Sequence, residues 1–290
     1  MATSPHLPEV FEFILQVERF YAGLILAAGH GPDAEPSLGG KLLYAGQLDS
    51  QSRALLVAAN IAGAASLALS ADAAAGKQAV RDGVVNFLVT SLDEALRILK
   101  NEIRKRSSVA VCVALESNSD FARQLLERGV LPDLLPPRSA PAPEFAVFLS
   151  QGARPVVAVH PDANQALLAW SVASAPAQWL PKLDALALSC LDENMGAPGP
   201  GSPRTGLRPW GGDLDSETWD SARRWLRLAP RNLGRRSQSV RLFRCSESIA
   251  ASFLEGVRKN VAHGEIGVPV EITIYRNEQP EFYSFTPPSR

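Results

Sequence analysis

The sequence predicts an α/β protein: a doubly wound parallel sheet flanked by helices, with a smaller α/β part formed by the C-terminal segment. Two observations predict it. Across residues 41–135, short apolar runs alternate with longer runs of helical period, which is the grammar of strands joined by the helical crossovers that parallel neighbours require. Several helical runs also carry their own punctuation, an N-capping residue before them and glycine or basic residues at their ends. Composition agrees. At 290 residues, 46% hydrophobic and with a formal charge of −1, the chain can bury one large or two modest cores and shows no basic excess of the kind that nucleic acid attracts.

The elements follow in order. Residues 8–28 carry apolar side chains at helical spacing (Val10, Phe11, Ile14, Val17, Tyr21, Leu24) and predict an amphipathic helix, ended by a Gly/Pro-rich loop at 29–40. Residues 42–45 predict the first strand and 52–62 a helix. Strand 66–70, helix 73–81 and strand 84–89 come next. Ser91, with Glu94 three residues later, opens a helix as a capping box, and its basic end suits the helix dipole. Strand 109–115 follows, then a helix over 121–128 stopped by Gly129, and a strand over 131–135. Residues 136–143 are a Pro-rich connection, 155–159 a further strand and 164–172 an apolar helix. The stretch 194–212, dense in Gly and Pro, reads as a surface loop or mobile segment. A helix over 217–228, a strand over 240–243, a helix over 249–262 and a strand over 268–275 suggest a βαβ ending. Residues 284–290 are a tail. The domain organisation expected is an N-terminal helix and loop over 1–40, a sheet domain over 41–150 and a shortened C-terminal part over 151–290.

Several stretches together resemble the urocanase (urocanate hydratase) family. They are Gly40-Lys-Leu-Leu-Tyr-Ala-Gly46, Leu56-Val-Ala-Ala-Asn-Ile-Ala-Gly63, Thr90-Ser-Leu-Asp-Glu-Ala-Leu96 and Glu127-Arg-Gly-Val-Leu-Pro-Asp133, followed by the shorter Trp225-Leu-Arg-Leu-Ala229 and Gly264-Glu-Ile-Gly-Val-Pro-Val270. The resemblance implies a Rossmann-like domain that holds NAD as an electrophile for hydration of urocanate in histidine degradation, in a cytoplasmic homodimer. The family is considerably longer, so this chain resembles a shortened and divergent member.

The family's site residues carry over incompletely. Its glycine-rich phosphate loop, approximately GxGGMGGAQ, is matched here by Gly46-Gln47-Leu48-Asp49-Ser50-Gln51-Ser52-Arg53. Gly46 alone remains of the glycines that let backbone approach a pyrophosphate. Ser50, Ser52 and Arg53 remain as candidate anion contacts, but an ordinary capped helix start is favoured. Asp72 lies near the place of the ribose-binding acid, though an N-cap role for it is favoured. Ser139 survives from the family's DQTSAHD segment and Arg276 from its GRDH segment, so these two are the substrate-binding candidates. Cys190 and His160 are weak catalytic candidates. No Cys/His spacing suggests a metal, and the three cysteines are too scattered for a disulfide framework. No signal peptide or membrane span is expected.

Two functional readings result, beside a third possibility of a homodimer subunit or interaction module with no small-molecule ligand. In the first, the NAD-binding domain is degenerate, NAD binding is doubtful, and the protein has a repurposed or regulatory binding role without urocanate hydratase activity. In the second, it is an NAD-dependent hydratase or lyase related to urocanate hydratase.

Overall fold

The structure, a computed structural model, describes residues 7–28, 37–115, 120–137, 143–194, 216–276 and 279–288. The chain divides into two compact units, residues 1–159 with 231–235 and residues 160–230 with 236–290.

In the first unit, α1 (Leu7–Ala28) precedes β1 (Leu42–Gln47), α2 (Ser50–Ala62), β2 (Ala65–Ser70), α3 (Ala73–Arg81) and β3 (Phe87–Val89). Then come α4 (Leu92–Arg104), β4 (Val109–Ala114), α5 (Phe121–Glu127), β5 (Leu134–Leu135), α6 (Pro143–Ser150) and β6 (Arg154–Pro155). The six strands form one parallel sheet in the order β3-β4-β2-β1-β5-β6. The chain leaves β1 toward β2 but leaves β5 toward β6, on the other side. The order therefore reverses between β1 and β5, and the crevice outside the carboxyl ends of such neighbours is where open α/β sheets place ligands.

Strand alternation sorts the core into two layers. Leu42, Tyr44, Leu67, Leu69, Val111 and Val113 join Leu96 and Leu99 of α4, Phe121 of α5, and Phe145 and Phe148 of α6 in one apolar cluster. Tyr44 is its hub, with ring centroids 6.1 Å from Phe121 and 5.8 Å from Phe145. Many of the alternate side chains, among them Ala45, Ser66, Ala68, Ala110 and Cys112, are small and buried. Small residues on that face suit a closely laid helix. Every residue of α2 from Ala54 to Ala62 is buried, with α1 packed against it. Gly23 of α1 marks a close approach, because a Cβ there would lie 1.9 Å from the Val157 carbonyl oxygen.

The family-like motifs act as fasteners here. The Ser91 hydroxyl accepts from the Glu94 amide at 3.3 Å and starts α4. Asp93, two residues on, accepts from Arg128 Nε at 3.1 Å. Gly129 adopts φ +66° just beyond α5, a conformation that costs glycine little. Asp133 accepts from the Leu42 amide at 2.9 Å and from Lys41 at 2.8 Å, pinning the start of β1 beside β5.

The second unit contains β7 (Gln165–Val172), α7 (Pro176–Asn194), most of α8 (Ser216–Leu233), β8 (Val240–Ser246), α9 (Glu247–Ala262), β9 (Val270–Arg276) and β10 (Gln279–Phe285). Its four-stranded sheet, ordered β10-β9-β7-β8, is antiparallel at every pairing. Since β8 and β9 both run against β7, they run parallel to each other, and α9 joins them. The predicted βαβ ending is present, but its strands flank a third. Trp170 of β7 packs on Phe253 of α9 at 5.0 Å. Its Nε1 donates to Asp184 Oδ1 of α7 at 3.2 Å, and Arg241 Nε of β8 donates to Asp184 Oδ2 at 3.0 Å.

One element differs in kind from its sequence expectation. Residues 164–172, expected as an apolar helix, form the inner strand β7. Ala166 to Trp170 are all buried, so the strand shows no alternation, and periodicity cannot distinguish such a run from a buried helix segment. Helices α6 and α7 were not anticipated, and the expected tail at 284–290 contains the end of β10.

Candidate functional site

The carboxyl edge beside the switch point is built from the end of β1, the turn that follows it and the end of β2. Gly46 adopts φ +74° with open space around its missing Cβ, and the register against β2 slips between Tyr44 and Gly46. The turn is short. Leu48 donates its amide to the Leu69 carbonyl at 2.7 Å, and Asp49 already caps α2. The Asp49 carboxylate accepts from the Ser52 amide at 2.8 Å, while the Ser52 hydroxyl accepts from the Asp49 amide at 2.7 Å. This reciprocal capping box consumes two backbone donors of the turn and sets a carboxylate at the positive end of the helix.

The other residues assigned to cofactor binding have their own partners or stand in solvent. Ser50 is exposed. Arg53 is engaged by α3 and its C-cap, pairing with Asp82 at 3.3 Å and donating to the Ala75 carbonyl at 3.2 Å. Asp72 follows β2 and caps α3 by accepting from the Ala74 amide at 2.7 Å. Its own carbonyl accepts from the Ser70 hydroxyl at 2.6 Å. Gly46, Ser50, Ser52 and Asp72 therefore lie along one edge of the sheet, with Asp49 supplying the cap of the helix start that the sequence favoured there. The signal for the cap was available, since Asp is a favoured N-cap residue immediately before a helical run.

The remaining candidates are dispersed. Ser139 and nearly all of the 194–212 stretch lie outside the described residues. Cys190 is buried in α7, and burial, with Glu193 adding to it, pushes its thiol up to about 11. Cys112, inside β4, is likewise pushed up to about 11 by burial, against a smaller opposing effect of Arg53. A thiolate is thus disfavoured at both positions. His160 is exposed in a loop, beyond the two-residue strand β6 rather than at the end of the longer strand expected. Arg276 ends β9 with its Nε 2.8 Å from both Glu247 oxygens, and Nη1 meets Glu281. That guanidinium already holds a carboxylate bidentately. Among the described residues, no group of three or more His, Cys, Asp and Glu side chains could hold a metal ion, and no helix is long and apolar enough to cross a membrane.

Residues 24–142 match the family profile of the urocanase Rossmann-like domain. The match begins inside α1, ends just before α6 and includes the whole carboxyl edge described above.

Proposed function

We propose, from the premise that residues 24–142 form a urocanase Rossmann-like domain, that this domain serves a repurposed binding or regulatory role and performs no urocanate hydration. The observation that carries this reading is the Asp49–Ser52 capping box. A dinucleotide pyrophosphate docks on a helix N-terminus by taking free backbone amides, with glycines allowing the approach. At α2 the Ser52 amide is already bonded, and the Asp49 carboxylate stands where an anion would have to enter. Gln47, Leu48 and Asp49 add side chains where glycines would leave room. The residues present do not fit NAD, so no step of urocanate chemistry is assigned to them.

The chemistry at the other candidates supports the same reading. Cys190 is held as a buried thiol, and Arg276 is occupied by Glu247 and Glu281. The test is a titration of the purified chain with NAD, followed by native mass spectrometry, beside an assay for loss of urocanate absorbance. The expected outcome is no complex at millimolar NAD and no consumption of urocanate. A stoichiometric NAD complex would overturn the proposal for the cofactor site, and turnover of urocanate would overturn it entirely.

A further inference from the structure

Far along the same sheet from the β1 turn lies a groove that the reading above does not use. It is bounded by β3, an edge strand, and by α4. Phe87 opens β3 with 48% of its surface exposed, and Ile98 and Ile103 of α4 are only partly covered. Arg97, Lys100 and Arg104 line the same groove, spaced three and four residues apart and so on one side of the helix. All three are exposed, and none forms an ion pair among the described residues. Among the described residues that line the groove, the one carboxylate, Glu102, is engaged by Lys105 at 2.8 Å and by Asn101 at 3.0 Å. The result is an apolar floor beside a row of three exposed cations on a chain whose net charge is −1.

We infer that this groove docks an acidic segment of a partner protein, an apolar side chain seating against Phe87, Ile98 and Ile103 while carboxylates meet Arg97, Lys100 and Arg104. Charge selects the occupant. A second copy of this chain, related by a twofold axis, would bring the same three cations against themselves, and like charges brought together oppose association. A nucleic acid would use the cations but gain little from the apolar floor, and its affinity grows with many phosphate contacts rather than three. An acidic segment with an apolar anchor uses both halves of the groove, with the exposed aromatic as the central contact.

The probe is a fluorescein-labelled peptide of alternating Glu and Leu, titrated with the full chain by fluorescence anisotropy, beside a Lys/Leu peptide and a single-stranded oligonucleotide. The Glu/Leu peptide is expected to bind, with affinity falling as salt rises. The triple variant R97Q/K100Q/R104Q should weaken binding at least tenfold, and F87S should do the same without altering the salt slope. The helix content and unfolding midpoint of each variant establish that it has folded. Should the triple variant misfold, K100Q alone carries the charge test with a smaller expected loss. No binding of the Glu/Leu peptide, equal binding of the Lys/Leu peptide, or binding unchanged in both F87S and the cation variants would overturn the inference. Oligonucleotide binding that matches the peptide and ignores F87S would overturn it too, by showing a plain polyanion surface.

Discussion

Asp49 accepts the Ser52 amide through Oδ1 while its own amide donates to the Ser52 hydroxyl, so the cap and the charge at the head of α2 come from one side chain. Its two contributions separate by substitution. Asp49→Ala removes the acceptor and should cost about 1 kcal/mol, the usual worth of an N-cap. Asp49→Asn keeps an acceptor while removing the charge, and its urea midpoint should stay near that of the unaltered chain. Equal losses in the two variants would show that the cap contributes little. Arg241 offers a harsher case. Asp184 lies between Trp170 and Arg241 with both ion-pair partners only about 15% exposed, and burial raises its pKa despite the attraction of the guanidinium. Arg241→Met leaves that carboxylate with Trp170 alone, and the expected loss is about 3 kcal/mol. Asp184→Asn in the same background should restore part of it, because the stranded charge is then gone. Chemical denaturation of the two variants checks both statements, and no recovery in the double variant would count against a stranded charge as the cause.

Packing of whole elements turns on a few close approaches, and Gly23 is the tightest. A methyl group there falls 1.9 Å from the Val157 oxygen, so Gly23→Ala must displace α1 or the segment after β6. Although alanine is the better helix former, the variant should lose about 1–3 kcal/mol, read as a lowered midpoint of thermal unfolding. A gain instead would mean that the approach is looser than it stands. This position also shows what a sequence conceals. Its glycine looks like a weak point in an amphipathic helix, because only the fold brings residue 157 beside residue 23. Strands β1, β2 and β4 of the parallel sheet were legible, since they are short apolar runs set between capped helices. Strand β6, expected over 155–159 in the C-terminal part, is instead Arg154–Pro155 at the edge of the first sheet. The capped start of α4 was legible from Ser91 and Glu94 alone. Strand β7 was not, because burial on both faces erased the alternation that distinguishes a strand. Helix α7 begins at Pro176 and contains Pro181, residues that ordinarily mark connections. At the candidate site, the loss of glycines after Gly46 could be read directly. The engagement of Arg53 with Asp82 and of Arg276 with Glu247 needed the fold, since those partners lie 29 residues away in sequence.

For the whole molecule, the three cysteines give one measurable property shared by both units. Cys112 belongs to the first unit, Cys190 and Cys245 to the second, and all three are buried and free. Burial raises all three thiols, Cys112 and Cys190 from 9.0 to about 11 and Cys245 further still. A thiol whose folded pKa exceeds its unfolded value supports folding fully below the unfolded pKa. Above that value the unfolded chain gives up protons that the folded chain retains, so stability falls as pH rises. For Cys112 and Cys190 the window runs from 9.0 to about 11. The urea midpoint should therefore decline across that window, and Cys112→Ala with Cys190→Ala should flatten the decline even though each substitution lowers the starting stability. Iodoacetamide provides the complementary reading. At pH 8 the native chain should resist alkylation at all three sites, whereas in urea all three should be modified, as counted by intact mass. Rapid labelling of the native chain at Cys190 would mean that α7 opens readily, and it would restore that thiol as a candidate nucleophile. Labelling confined to the unfolded chain would instead mark it as a packing residue, consistent with a second unit that contributes no cysteine chemistry.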